Sequence, residues 1–386
     1  MQDDFTLHLL PGLHSPAACE DAKRYLPATS CKASDLMLSE IQNVVETSTR
    51  KLFQVADPAV RLWILIDLMK KNEDDPLLLQ AAEECRRYPA RSRILESLRD
   101  DGTWPISAQR RRAEELGPGP PIGWTYITML RNLLILGELH TKEGEGHVGR
   151  ALERILGWQT EAGYIPGPMT SAFPTPHYNG YALRNLIQFG KEEDPRTQKL
   201  IDWLKGVQRE DGGWNIPYIQ DMRYLPKYKY MSSGDFWKVI EGDDRPPYDP
   251  DEYRGTPSCL WSTMMVVRGL SWSLKLRSSR ECRSGADFFL DGFFKRNHHP
   301  SFYQSESNWT ILRYPTYFGS GLCALDILTV MGYGKGDERM EKPIRWLLNA
   351  RSKDGFWYRS DRPVPGKYQW ITLTAVEILS KYAESY

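Results

Sequence analysis

The chain has 386 residues and carries 50 Lys and Arg against 50 Asp and Glu, so its formal net charge is zero. That balance excludes the basic footprint of a nucleic-acid binder and a cationic face drawn to anionic membranes. The opening Met1-Gln2-Asp3-Asp4 is neither basic nor apolar, so no signal peptide is expected. No run approaches the roughly 18 apolar residues of a membrane-spanning helix.

The six cysteines (Cys19, Cys31, Cys85, Cys259, Cys282, Cys323) are widely spaced without a CxxC pair. They read as reduced thiols of a cytoplasmic protein. Aromatic residues are abundant, with 13 Trp and 20 Tyr. Some serve turns and others are free to line a pocket.

Residues 1–38 have no clear period and form an N-terminal extension; residues 39–386 read as one repeat domain. A helix from Leu38 to Phe53 has no partner before it. Helical pairs follow: Leu62–Met69 with Leu77–Leu98, Tyr126–Leu136 with His147–Gln159, and Tyr178–Ile187 with a helix opened by Asp194-Pro195-Arg196. These pairs end in Asp101-Gly102-Thr103-Trp104, Gly163-Tyr164 and Asp211-Gly212-Gly213-Trp214. A degenerate pair runs from Leu260 to Phe294 and replaces the turn with Arg296 to Phe302. Phe318–Met331 with Glu341–Arg351 ends in Asp354-Gly355-Phe356-Trp357, and a last helix, Trp370–Tyr382, lacks a follower. The stretch 216–255 is an aromatic-rich insertion, readable as a cover for the cavity mouth or as a crossover packed by its own aromatics.

The first helix of each pair is apolar almost all round, as in Leu133-Leu134-Ile135-Leu136 and Met264-Met265-Val266-Val267, so it is buried on several sides. The second has one apolar stripe and sits outside. Alternating inner and outer helices, closed by the N-terminal helix against the last, give an all-α (α/α)6 toroid. The glycines end outer helices; the tryptophans lie across the turns, and Gln159 and Gln208 are placed to bond a free helix end.

The segment Ile201 to Trp214 resembles the QW repeat of squalene–hopene cyclases and related terpenoid cyclases, a superfamily that includes protein prenyltransferase β subunits. The resemblance covers roughly residues 55 to 385. The chain is also similar to compact prokaryotic proteins that carry these repeats alone. It implies a cavity where the inner helices begin, and cyclization or prenyl transfer of an isoprenoid or other apolar small molecule. The cyclases' Asp-x-Asp-Asp acid is absent; the equivalent helix start reads Thr256 to Thr263. Of the prenyltransferase zinc ligands only Cys259 is matched. Pro257 occupies the Asp place, and the His place falls near Tyr317.

At the starts of the inner helices stand Trp124 and Tyr126; His177, Tyr178 and Asn179; Cys259 and Trp261; Arg313, Tyr314 and Tyr317; Tyr368 and Trp370. These are the expected substrate-binding residues, since aromatic faces with a few polar groups suit an apolar ligand. His177 and Cys259 are the pair to test for zinc. The rival readings are a carbohydrate-active (α/α)6 enzyme, which needs two carboxylates beside a groove, and a non-catalytic binding or scaffold toroid.

Overall fold

The computed structural model describes residues 28–109, 123–167, 174–217, 221–222, 225–242, 250–253, 255–297, 305–313, 319–359 and 366–385. Across them the chain is all-helical, and the one strand-type contact is a bridge between Pro166 and Pro174. In chain order, α1 (Ala28–Val55) leads to α2 (Pro58–Trp63, continued as a π turn over Ile64–Leu68), α3 (Pro76–Arg86) and α4 (Pro89–Glu96). Next come α5 (Gly123–Glu138) with α6 (Val148–Gly157), and α7 (Pro176–Gln188) with α8 (Pro195–Gly206). The insertion carries α9 (Pro226–Lys229) and α10 (Ser233–Glu241). It is followed by α11 (Leu260–Trp272) with α12 (Arg280–Asp291), α13 (Gly321–Val330) with α14 (Glu341–Asn349), and α15 (Lys367–Glu384).

Two boundaries differ from the sequence reading. The single helix expected over Leu77–Leu98 is two helices. Pro89 has no N–H to donate, and it holds Tyr88 before it at an extended ψ of 122°, which breaks the ladder. The first helix starts at Ala28 and runs unbroken through residue 38.

The inner–outer alternation follows from the apolar pattern. In α11 every residue from Leu260 to Ser271 is buried. In α6 the buried set is Val148, Ala151, Leu152, Ile155 and Leu156, one stripe of a two-sided helix. Two inner helices, α7 and α11, meet backbone to backbone. A Cβ on Gly180 would stand 2.5 Å from the Met265 carbonyl oxygen, and one on Gly269 would meet the Gly180 carbonyl. Glycine is required at that crossing.

The turns act as staples between neighbouring hairpins. Trp104, Trp214 and Trp357 each donate from Nε1 to the carbonyl ten residues back: Ile94 at 2.8 Å, Leu204 at 2.8 Å and Leu347 at 2.7 Å. Gly102, Gly163, Gly212 and Gly355 have φ between 80° and 101°, and the first three press on the next outer helix at Arg150, Lys199 and Ser284. Gln159 Nε2 donates to Gly163 O (2.8 Å) and Arg196 O (2.7 Å); Gln208 Nε2 donates to Gly212 O and Glu281 O (both 2.8 Å). Their targets are thus the turn itself and the first turn of the next outer helix, not a free helix end. At the last turn Arg351 takes the glutamine's place and donates from Nε to Ser48 Oγ at 3.0 Å, so this turn docks on α1. Ser48 and Lys51 of α1 bond the carbonyls of Gly355 and Asp354 at 2.9 and 2.7 Å. α1 also packs along α15, and Asp57 N donates to Gln369 Oε1 at 2.7 Å. The first and last repeats are therefore in direct contact.

In the degenerate copy the clamp is displaced rather than lost. Trp309, fully buried, donates from Nε1 to Lys295 O at 2.7 Å and stacks on Phe293 at 4.4 Å. Within the insertion, Met222, Tyr228, Phe236, Ile240 and Tyr253 form their own apolar cluster. Arg209 pins this segment: Nη1 binds the buried Asp221 at 3.2 Å, and Nη2 donates to the carbonyls of Tyr253 and of Thr256. The described part of the insertion is a crossover packed by its own aromatics.

Candidate functional site

The inner-helix starts divide the expected pocket residues into groups. One unites His177, Tyr178 and Tyr126, with ring centroids 4.2 Å apart for the first two and 6.5 Å for the last two. Tyr126 is wholly buried and is wedged edge-on against Trp158 at 5.7 Å, and no described residue bonds its hydroxyl or His177 Nδ1. Burial pushes the His177 imidazole down to about 3, so it is neutral at physiological pH. A second group places Tyr368 against Phe356 and Tyr358, each at 5.4 Å. A third buries Trp261 against Trp309 at 4.8 Å, under Gly319. Trp124 is half-buried at the start of α5, Trp370 packs on the seam between α2 and α15, and Arg313 lies in the loop before α13. Tyr314 and Tyr317 lie outside the described residues.

Asn179 is a structural clamp. Its Nδ2 donates to Ile165 O (2.9 Å) and Thr175 O (3.1 Å), and its Oδ1 accepts from Ile165 N (2.8 Å). Thr263 and Thr372 hold the corresponding place in other repeats, accepting from the N–H of Trp214 and Trp357. The local signal was the turn: the residue after it needs an acceptor on the next inner helix.

The Cys259 thiol is buried and accepts from Asn297 Nδ2 at 3.3 Å, while Asn297 Oδ1 accepts from Leu260 N. Among the described residues no three His, Cys, Asp or Glu side chains stand where they could hold a metal ion.

A different set of residues emerges one to three turns further along the inner helices. Each contributes an ionisable side chain from an otherwise apolar run: Asp67 after α2, Glu138 on α5, Arg184 on α7, Arg268 on α11, Asp326 on α13, and Glu377 with Lys381 on α15. These groups act on one another. Arg184, 2% exposed, bonds Glu138 at 2.8 Å and lies over the Trp272 ring at 4.4 Å. Arg268 Nη1 is 3.8 Å from Cys323 Sγ.

Burial pushes the Glu377 carboxyl well above its usual range; Lys381 opposes this, while Asp67, Asp326 and Glu138 add to it. Burial likewise raises Asp67, against Lys381 and with Glu138 and Asp326. Burial alone would lower Lys381, but Glu377, Asp326 and Asp67 outweigh it and hold the ammonium charged. The same holds for Arg268, where Cys323, Asp326 and Glu138 outweigh burial. Asp67, Glu377 and Lys381 retain some accessible surface. Surface grooves lie elsewhere, one over α14 beside Phe294 and Trp346 and one between α2 and α3 beside Phe53 and Leu77.

Among the described residues no helix is long and apolar enough to cross a membrane. No family model matches the chain, and no curated protein matches it. Among solved structures, a protein from Actinoplanes is similar at 14% identity, covering 85% of this chain and 89% of that one, with a TM-score of 0.39. The type II terpene cyclase MstE from Scytonema, solved in its apo form, is similar at 15% identity over 78% of this chain and 98% of that one, with a TM-score of 0.27.

Proposed function

We propose that the chain forms a closed (α/α)6 double ring with an interior site for an isoprenoid or other apolar small molecule, entered where the inner helices begin. What supports this reading is the set of ionisable side chains, one or more from each of six largely apolar helices, that act on one another. A ring centre that served only to hold the helices together would be filled with apolar side chains. Burying four carboxyls and three cations costs several kcal/mol per ion before pairing, an expense with a natural use in a ligand site. The half-buried aromatics His177, Tyr178, Trp124, Tyr368 and Trp370 form the entrance side, and the QW-like repeats favour a terpenoid-type ligand. Cyclization or prenyl transfer is the chemistry the resemblance suggests, with no step assigned to zinc.

The four interior carboxyls also favour a second reading, a carbohydrate-active enzyme. Glu138 is committed to Arg184 and Asp67 faces Lys381. With Asp326 acting on Arg268, one carboxyl remains, fewer than the two that acid–base chemistry on a sugar requires. Mass spectrometry of small molecules co-purifying with the protein, alongside metal analysis, separates the readings. An apolar, terpenoid-like compound released on denaturation is expected; an oligosaccharide, or a protein that carries no lipid and melts unchanged with any isoprenoid, would contradict the proposal.

A further inference from the structure

The larger of the two surface grooves runs along α14 from Glu338 to Asn349 and has a volume of about 680 Å³. Its aromatic residues are Phe294 and Trp346, half-buried and edge to face with ring centroids 6.1 Å apart. Phe294 holds φ at 63°, and Phe293 packs edge-on against it at 4.8 Å. A bulky side chain takes that backbone conformation only under constraint, and such strain collects at ligand clamps. Lys342 and Arg345 also line the groove and are exposed. Lys342 Nζ stands 5.2 Å from the Phe294 ring, and Arg345 pairs with Glu341 at 3.2 Å.

Arg345 also donates from Nη2 to Met37 Sδ at 3.4 Å, which ties α1 to the groove wall. Met37 stands at Arg345 and Ser48 at Gly355, so α1 runs in the same direction as α14. Ala28 lies nine residues before Met37, about 14 Å back along the helix, and Glu338 lies seven before Arg345. The chain therefore enters α1 beside the Glu338 end of the groove. Ahead of Ala28 it carries Asp3-Asp4-Phe5-Thr6-Leu7-His8-Leu9-Leu10. An extended chain turns Phe5, Leu7 and Leu9 to one side, and five residues at about 3.3 Å each match the roughly 17 Å from Glu338 to Asn349. Leu10 to Pro27 reaches up to about 60 Å, enough to return from any point of the groove to Ala28. A second copy of the chain would have to cover about 20–30 residues a side, whereas the groove is the flank of one helix. A tethered segment needs no such area, because its effective concentration is on the order of millimolar. We propose that the groove on α14 seats the chain's own N-terminal segment, with Phe5, Leu7 and Leu9 against Phe294 and Trp346, and Asp3 and Asp4 beside Lys342 and Arg345.

Photo-crosslinking of the full chain tests it, with benzoylphenylalanine in place of the exposed Asn349. The expected product is a link within one molecule to residues 3–10, lost when Phe5→Asp and Leu9→Asp are combined. A link between two molecules, a link to another part of the same chain, or a link that survives the double substitution would overturn the proposal. Hydrogen exchange of the unlabelled chain gives a second readout. Amides of α14 should exchange about tenfold faster in the double variant, with α8 unchanged as the control for the fold. No link, or equal exchange of α14 in the two chains, would overturn it as well. If α8 also exchanges faster, the variant folds poorly, and the position of the link in the otherwise unsubstituted chain decides.

Discussion

The two ends of the inner helices solve different problems. At their starts, aromatic side chains stand in separate groups around Tyr178, Tyr368 and Trp261, several of them half-buried and in ring-to-ring contact. In the later turns of six described helices, charged side chains act on one another. Ring contacts are worth about 0.5–1.5 kcal/mol each and tolerate change. A buried ion pair broken on one side costs far more. The later turns are therefore built for a fixed arrangement, while the starts tolerate substitution.

The sharpest way to break this comparison is Arg184→Ala. It strands Glu138 in the interior, and chemical denaturation should report a loss of about 3–5 kcal/mol. A loss under about 1 kcal/mol would mean that the charged set is not interdependent. Asn179→Ala comes next. Although it stands among the aromatic starts, its amide satisfies three backbone partners, and the loss should be about 1–3 kcal/mol with little change in ligand affinity.

The third test is pH. His177 and His140 are half-buried and held neutral, desolvation pushing them down to about 3 and about 4 from an ordinary 6.5. The unfolded chain binds protons that the folded chain refuses, so stability should fall as pH drops below about 6.5 towards 4. Glu377 works in the opposite sense: its raised folded value means its contribution is present at low pH and lost as pH rises through that value. Melting temperatures across pH should therefore decline on the acid side, less steeply in His177→Asn. The smallest expected effect is Tyr368→Ala, which should change stability by less than about 1.5 kcal/mol while lowering isoprenoid binding.

Much of this fold is legible in the sequence, because its units are short-range. Asp211-Gly212-Gly213-Trp214 marks a helix end, a positive φ and a staple within one segment, and the all-round apolar runs identify inner helices before any contact is known. Pro89 was equally visible, yet the continuous apolar period of residues 77–98 outweighed it; the missing N–H decides the matter locally. Trp309 was missed as a clamp because its loop is longer than in the other repeats.

The charged set escaped for a different reason. Averaging hydrophobicity over a helix erases a lone charge, so Glu138 after Leu133-Leu134-Ile135-Leu136 reads as a helix end, and Arg268 after Val266-Val267 as noise. One ionisable residue in the same part of six successive apolar helices is itself a periodic signal, at the period of the repeat rather than of the helix. His140 carries a related signal. Like Lys70, Gly190 and Gly332, it stands at positive φ just past an inner helix. It packs at a tilt against Trp63 with ring centroids 4.1 Å apart, and Trp63 Nε1 donates to Glu138 O, tying α2 to the end of α5.

The most direct test of the interior site is the melting temperature with and without saturating farnesol, in the unsubstituted protein and in Tyr178→Ala. A ligand that binds the folded chain alone raises the midpoint in proportion to its affinity. The interior-site account expects a clear rise in the unsubstituted protein and a much smaller one in Tyr178→Ala. An equal rise in both, or none in either, would contradict it.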